Sequence, residues 1–127
     1  MKKIRKDFRP TTKDLDKLWA KAVKLRAGMR SELRHIEESY LAAHHILGKP
    51  TLSLRYNLDN GICITVGQHK WVAHHAGRQD DFRRLALQKR GVAEEQLRLT
   101  SRNRVDMFGT KLYLEEKIKE YEAKIQS

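Results

Sequence analysis

Apolar residues return every seven positions through the N-terminal part of this chain. The line consists of Leu15, Ala22, Met29, Ile36 and Ala43. Because residues seven apart lie on the same side of an α-helix, the pattern predicts one amphipathic helix from about Thr12 to Leu47. Thr11 or Thr12 would cap its start, and Gly48 with Pro50 would end it. Gly28 falls inside this helix, where a glycine costs about 1 kcal/mol relative to alanine.

The middle of the chain changes to a period of two, which is typical of half-buried strands. Residues 51–56 alternate polar and apolar side chains, residues 59–61 have the turn sequence Asp-Asn-Gly, and residues 62–66 are rich in β-branched types. Together these segments predict a β-hairpin. Residues 97–102 alternate again and predict a further strand.

The remaining segments are predicted from local pattern. A short strand is expected near Trp71 and Val72, followed by a short helix over residues 81–89. Apolar residues at helical spacing predict a second long helix from about Thr110 to the end of the chain. These residues are Leu114, Ile118, Tyr121 and Ile125.

The order of these elements predicts an α+β fold in which two long antiparallel helices form a lever arm with a small antiparallel β-sheet at its tip. We expect a single domain over residues 1–127, with the helical arm at 12–47 and 110–127 and a β-rich, clamp-like tip at 51–104. The second helix is shorter than the first, so part of the first apolar stripe would lack a partner. This difference suggests that the chain is a fragment of a larger protein.

The charge of the chain indicates what it binds. The net charge is +11, from 27 Lys and Arg against 16 Asp and Glu, and such an excess favours a polyanionic partner. No apolar stretch approaches the ~20 residues of a membrane span, and residues 1–10 lack the apolar region of a secretory signal. Cys63 is the only cysteine, so a reducing compartment is expected. We therefore predict an intracellular protein of the cytoplasm, nucleus or mitochondrion that is not secreted.

Two stretches of the sequence carry a family resemblance. The first runs from Leu52 to Asn57 as Leu-Ser-Leu-Arg-Tyr-Asn and continues at Gly61 as Gly-Ile-Cys-Ile-Thr-Val. The second comprises Thr-Ser-Arg-Asn-Arg at residues 100–104, Met107-Phe108, and a Leu-, Glu- and Lys-rich helix over residues 112–118. In this order, the chain resembles the lever-and-clamp segment of the MutS family of DNA mismatch-repair proteins.

The resemblance implies a role in DNA repair without catalysis in this chain. In that family the clamp contacts duplex DNA backbone without reading its sequence, while an ATPase resides in another domain. The phosphate-binding motif of such an ATPase, Gly-x-x-x-x-Gly-Lys-Ser/Thr, is absent here. The implied partners are duplex DNA and the remaining domains of a MutS-like protein, with a second subunit left open. Neither a cofactor nor a membrane is expected.

Basic residues of the predicted tip are the candidate DNA contacts, because Lys and Arg neutralise phosphates and release counterions. The predicted set is Arg55, Lys70, Lys89, Arg90, Arg98, Arg102, Asn103 and Arg104. Arg102 and Arg104 rank first, since they lie where the resemblance is clearest. Ser53, Thr100, Ser101 and Asn103 could add neutral hydrogen bonds to phosphate oxygens.

Two other functional classes remain open from the sequence. The helical stripes could bind a partner helix, which would make the chain a helical-hairpin interaction module. A small basic nuclease or toxin is the other alternative. A zinc site could be assembled from Cys63, His69 and His74 or His75, and Asp80 and Asp81 beside the histidines could hold the Mg²⁺ of a nuclease. The zinc set matches no established metal spacing, and adjacent acids before a helix more often cap it. The prediction is that the chain has no metal site and no catalytic residues.

Overall fold

The computed structural model describes residues 10–33, 40–48, 51–68 and 78–126. Within these residues the fold is α+β in the general sense, with helices packed around a two-stranded antiparallel sheet. The elements are α1 (Thr12–Arg26), β1 (Leu41–His45), α2 (Leu52–Arg55), a 3-10 turn (Leu58–Asn60), β2 (Gly61–Thr65), α3 (Arg78–Arg90), α4 (Glu94–Thr100) and α5 (Met107–Gln126).

The first helix is much shorter than the seven-residue repeat predicts. It begins with a capping box, in which the Thr11 hydroxyl accepts from the Asp14 N–H and the Asp14 carboxylate accepts from the Thr11 N–H. It ends at Arg26, and Gly28 follows with a φ of +71°. The Gly28 and Met29 N–H groups donate to the carbonyls of Leu25 and Lys24, which is the Schellman arrangement. Gly28 therefore ends α1, and the predicted helix over 12–47 is wrong.

The sheet forms between segments that the sequence pattern did not pair. β1 pairs antiparallel with β2, placing Ala43 opposite Cys63 and His44 opposite Ile62. The predicted strand at 62–66 is confirmed within one residue, but its predicted partner at 51–56 is wrong. Residues 52–55 form one helical turn, capped by Thr51, whose hydroxyl accepts from the Leu54 N–H. The true partner, Leu41–His45, was predicted to be helical.

The outer helices are partly confirmed. The helix predicted at 81–89 is α3, and the one predicted from Thr110 is α5. Residues 97–102 do not form a strand, since α4 occupies Glu94–Thr100 and a turn follows. The short strand predicted near Trp71 and Val72 lies outside the described residues.

The sheet lies between two helical layers, which explains why every residue of β2 is buried. On one face, Cys63 packs in a core with Leu15, Trp19 and Leu114, from α1 and α5. On the other face, Ile62 and Ile64 pack against Phe82 and Ala86 of α3. Because successive side chains of a strand point to opposite faces, one short strand supplies both cores. A third cluster joins Leu97 of α4 to Leu47 and Leu54.

Helices α1 and α5 pack on each other and run in the same direction, and neither is a lever arm. The pKa of the Asp14 carboxyl is lowered, first by its hydrogen bonds with Thr11 and further by the charges of Lys17 and Lys111. One end of α1 therefore lies near the start of α5. Towards the other end, the Lys21 ammonium lies 3.9 Å from the Glu122 carboxylate. The predicted fold of two long antiparallel helices with a sheet at the tip is wrong, because α1 stops after 15 residues and packs along α5 in the same direction.

The longest helix in the described part of the chain is α5, with 20 residues. None of the helices described is both long enough and apolar enough to cross a membrane.

Candidate nucleic-acid interface

The loop of residues 101–106, here called the 101–106 loop, joins α4 to α5. It begins with a tight turn in which the Arg102 N–H donates to the Leu99 carbonyl and the Asn103 N–H to the Thr100 carbonyl. The Thr100 and Ser101 hydroxyls donate back to the carbonyls of Leu97 and Arg98, at 2.6 Å each. These bonds satisfy the last carbonyls of α4 from within the chain. Arg102, Asn103 and Arg104 are left exposed on the turn.

The start of α5 fixes the other end of this loop. The Asp106 carboxylate accepts from the Phe108 N–H at 3.2 Å, and the Asp106 carbonyl accepts from the Thr110 N–H at 2.8 Å. A Cβ added to Gly109 would lie 2.8 Å from an oxygen of the exposed Asp106 carboxylate, so a larger residue at position 109 would require that side chain to shift. Asp106 thus anchors the loop against the helix that follows.

A groove of about 410 Å³ lies between α2, the 101–106 loop and α5, and we call it the α2–α5 groove. Its lining combines apolar with polar side chains. The apolar and aromatic members are Leu52, Tyr56, Leu58, Val105 and Tyr113. The polar members are Ser53, Asn57, Thr100, Asn103, Arg104, Asp106 and Thr110, and Gly109 completes the wall.

This groove brings together four residues that the sequence singled out. Asn103 and Arg104 belong to the predicted DNA contacts, and Ser53 and Thr100 are among the predicted neutral donors. Ser53 comes from α2, whereas Thr100 ends α4 and Asn103 and Arg104 lie on the 101–106 loop, far from α2 in sequence. The Thr100 hydroxyl is already used within α4, and the Ser53 hydroxyl shares a hydrogen bond of 3.1 Å with Thr51.

Arg55 lies on α2 beside this groove but has an internal partner. Its guanidinium donates to both carboxylate oxygens of Asp16, at 2.8 and 2.5 Å. That double hydrogen bond raises the pKa of Arg55. The next residue adds a second tie, since the Tyr56 hydroxyl donates to the Thr12 carbonyl at 3.2 Å. Arg55 therefore holds α2 against α1, and its guanidinium is already bound to the Asp16 carboxylate.

Arg90 also has an internal carboxylate partner. It donates to one carboxylate oxygen of Glu32, and the other oxygen accepts from the Cys63 N–H at 2.8 Å. The Glu32 N–H donates in turn to the Cys63 carbonyl. Both side chains of the pair are largely buried, so Arg90 fastens α3 to the edge of β2.

The other predicted contacts are spread over the surface. Arg98 is exposed and pairs with Glu94 one turn earlier, at 2.8 Å. Lys89 is exposed and lines a second cleft, of about 560 Å³, together with Arg30, Ser31 and Glu32. Lys70 lies outside the described residues.

Only two arginines of the predicted set are both exposed and without an ion pair among the residues that the structure describes, namely Arg102 and Arg104. They are separated by one residue on the 101–106 loop. Arg104 lines the α2–α5 groove, and Asn103 between them adds an amide that can both donate and accept.

Sequence patterns missed three polar residues that organise the fold. The Arg26 guanidinium donates to the carbonyls of Leu58 and Gly61, at 2.9 Å each, and its buried Nε has no hydrogen-bond partner among the residues described. Burial lowers the pKa of Arg26, and the charge of Arg90 lowers it further. Asn60 is fully buried and bonds the backbone of Leu47 and Leu54. Glu32 is the third. Their partners are remote in sequence, so no local signal marks them.

The candidate metal ligands do not assemble in the described part of the chain. His69, His74 and His75 lie outside it, and no group of three His, Cys, Asp or Glu side chains within it could hold a metal ion. Cys63 is fully buried, and burial raises the pKa of its thiol to about 11. Asp81 is exposed and lies 3.8 Å from Arg84.

A scan against protein-family models finds no match to this chain, and comparisons with curated proteins and with solved structures return no significant match.

Proposed function

We propose that this chain binds nucleic-acid backbone, including that of duplex DNA, without sequence preference and without catalysis. The observation that carries the proposal is the pair Arg102 and Arg104, exposed on one turn and free of ion pairs within the described residues. Each can neutralise a phosphate and release its counterion. The net charge of +11 supplies the long-range attraction that brings the polyanion to this turn.

The internal pairing of the other arginines supports this choice of surface. A guanidinium that already bonds a carboxylate must give up that bond before it can bind a phosphate. Arg55 and Arg90 are held in this way by Asp16 and Glu32. The chain therefore separates arginines that stabilise the fold from arginines that remain available to a ligand.

The proposal keeps the backbone-binding role that the resemblance implies and leaves out the lever arm. In the described residues, the helices do not form the arm that would carry a clamp away from a protein body. Membership of the MutS family and a place in mismatch repair stay predictions from the sequence. The proposal of backbone binding depends on neither, because its support is the charge of the chain and the position of the two arginines.

The test is a salt titration of the affinity of the full chain for a labelled duplex. Phosphate binding makes the logarithm of the affinity fall linearly with the logarithm of the salt concentration, by about 0.9 for each phosphate neutralised. We expect weak binding, in the micromolar range or poorer, that is equal for duplexes of unrelated sequence. An affinity that does not change with salt, or no binding at low salt, would overturn the proposal.

One observation favours a second candidate, a surface for a partner helix. Phe108 and Leu112 lie one turn apart on α5 and are 49% and 51% exposed. Residues four apart lie on the same face of a helix and can form the anchor of a helix–helix contact. Apolar association tolerates salt, so the titration that tests backbone binding also separates this candidate from it.

A further inference from the structure

The α2–α5 groove contains more than phosphate binding requires. Phosphates need only cations and hydrogen-bond donors at a surface, which the 101–106 loop already supplies. The groove adds apolar and aromatic walls, including the buried residues Tyr56 and Leu58 and the half-exposed Tyr113. Its volume of about 410 Å³ lies in the ~300–1,000 Å³ range of small-ligand sites. These properties suit a flat, partly apolar group attached to a phosphate.

Tyr113 is the side chain best placed to contact such a group. It lines the groove and is 50% exposed, so its ring can be covered by a ligand without unfolding α5. The Lys117 ammonium lies 5.8 Å from the centre of the ring and places a positive charge beside it. Leu52, at 39% exposure, lines the same groove from α2.

Amide groups of the groove can meet the edge of a base. The Asn57 carboxamide uses its oxygen to accept from the Asp59 N–H at 2.9 Å, and its NH₂ has no partner among the described residues. Asn103 is exposed and its carboxamide makes no side-chain hydrogen bond in the same part of the chain. The two amides can therefore donate to the ring nitrogens and carbonyl oxygens that serve as acceptors on nucleobase edges.

We infer that the α2–α5 groove takes one unstacked nucleobase of a single-stranded nucleic acid, with Arg104 and Arg102 on the adjoining phosphates. The inference rests on the proposed function and names the form of nucleic acid that the same site prefers. A paired base has its faces covered by its neighbours and its edge occupied by its partner, so it cannot enter the groove. A base in a single strand has both available.

The charge of the site selects this occupant over an apolar peptide or a neutral small molecule. Arg104 lines the groove and Arg102 stands two residues away, both exposed. Asp106 is the one acidic side chain of the lining, and its carboxylate is engaged in capping α5. A molecule that carries both a flat ring and a negative charge, as a nucleotide does, matches these walls.

The test measures the affinity of the full chain for a single-stranded oligonucleotide and for a duplex of equal length. An oligonucleotide of about 12 nucleotides is suitable, because known single-strand sites cover ~4–16 nucleotides. We expect the single strand to bind more tightly than the duplex. Tyr113→Ala should weaken single-strand binding about fivefold or more, and Tyr113→Phe should retain it because the ring is kept. DNA and RNA versions of the single strand show whether the sugar affects the affinity. Tighter binding of either version than of the duplex supports the inference.

The matched control is Leu112→Ala, because Leu112 is as exposed as Tyr113 and adjacent to it but does not line the groove. It should leave both affinities unchanged. Equal affinity for the two forms, or a Tyr113→Ala variant that binds the single strand like the original chain, would overturn the inference. Failure of the proposed function is a different result, in which neither form binds in a salt-dependent way.

Discussion

Gly61 packs against the indole ring of Trp19 so closely that a Cβ at this position would lie 2.6 Å from Cζ2 of the ring. The same Cβ would lie 2.6 Å from Cγ2 of Val23. The Trp19 ring is itself held, since its Nε1–H donates to the Asn57 carbonyl at 3.0 Å and its face stacks on His45 at 3.9 Å. The absence of a side chain at Gly61 is therefore what allows α1 to approach the start of β2.

The first prediction is that Gly61→Ala destabilises the chain by about 1–3 kcal/mol, the usual cost of overpacking a core. Denaturant unfolding followed by circular dichroism measures the change. Gly48→Ala is the control, because nothing lies within 4 Å of the Cβ it would add. If the two substitutions cost the same, α1 does not pack on Gly61 as described.

The second prediction concerns the buried pair of Glu32 and Arg90. Glu32→Ala leaves the Arg90 guanidinium and the Cys63 N–H without their acceptor, so it should cost about 2–4 kcal/mol. Arg98→Ala removes the exposed pair with Glu94 and should cost less than about 1 kcal/mol. Equal losses in denaturant unfolding would show that Glu32 is solvated and does not join α3 to β2.

The third prediction uses a substitution at Gly28 to distinguish the observed fold from the one predicted by the seven-residue repeat. Inside a continuous helix, Gly28→Ala would stabilise the chain by about 1 kcal/mol. At a φ of +71° the substitution should instead destabilise it by ~1 kcal/mol, since only glycine adopts that conformation freely. Nothing lies within 4 Å of the added Cβ, so the backbone conformation alone determines whether the substitution stabilises or destabilises the chain. A gain in thermal stability would favour the long helix.

The same position shows why the sequence predicted some elements and missed others. α3, α5 and the first turns of α1 follow from spacing and capping, which are local properties. The repeat continues past Gly28 because Met29 and Ala43 happen to keep the seven-residue spacing. Residues 41–45 have helix-forming side chains, yet they form a strand because they pair with β2. A pairing with a distant segment cannot be detected from the local sequence pattern.

Alternation was also misleading at residues 97–102. It predicted a half-buried strand, with Leu97 and Leu99 on one face. In the structure Leu97 is buried against Leu47 and Leu54, whereas Leu99 is 60% exposed, as expected for two residues of a short helix. Six residues are too few for the alternating pattern to distinguish a strand from a short helix.

The candidate site was predicted in part. Residue type placed Arg102, Asn103 and Arg104 among the candidate contacts, and the resemblance ranked the two arginines first. The fold adds the groove beside them. Sequence could not show that Arg55 and Arg90 are occupied, since their carboxylate partners lie 39 and 58 positions away. Nor could it place Tyr113 of α5 beside Leu52 of α2 in one groove.

The fourth prediction concerns alkaline pH. Burial, and then the nearby Glu32 carboxylate, raise the pKa of the Cys63 thiol from 9.0 to about 11. A thiol whose pKa is higher in the folded state contributes stability that is fully present below pH 9 and is lost as the pH rises towards 11, because only the unfolded chain ionises there. The free energy of unfolding should therefore fall more steeply over this interval than in Cys63→Ala. Parallel curves for the two proteins would show that Cys63 is accessible to water.

The last prediction tests the proposed function at the residues that carry it. Replacing Arg102 and Arg104 together by alanine should weaken binding to every duplex by the same factor. The slope of the salt dependence should fall by about one for each phosphate that is no longer neutralised, or about two in total. Stability should change by less than about 0.5 kcal/mol, since both side chains are exposed and neither forms an ion pair within the described residues.

The control must remove the same net charge elsewhere, because any loss of two positive charges weakens long-range attraction to DNA. Arg84 and Lys119 are exposed on α3 and α5 and do not line the α2–α5 groove. Their double alanine variant should keep most of the salt slope, since long-range attraction affects association while counterion release requires contact. If the two double variants show the same decrease in affinity and in slope, the chain binds DNA through its net charge alone. In that case the 101–106 loop is not the interface.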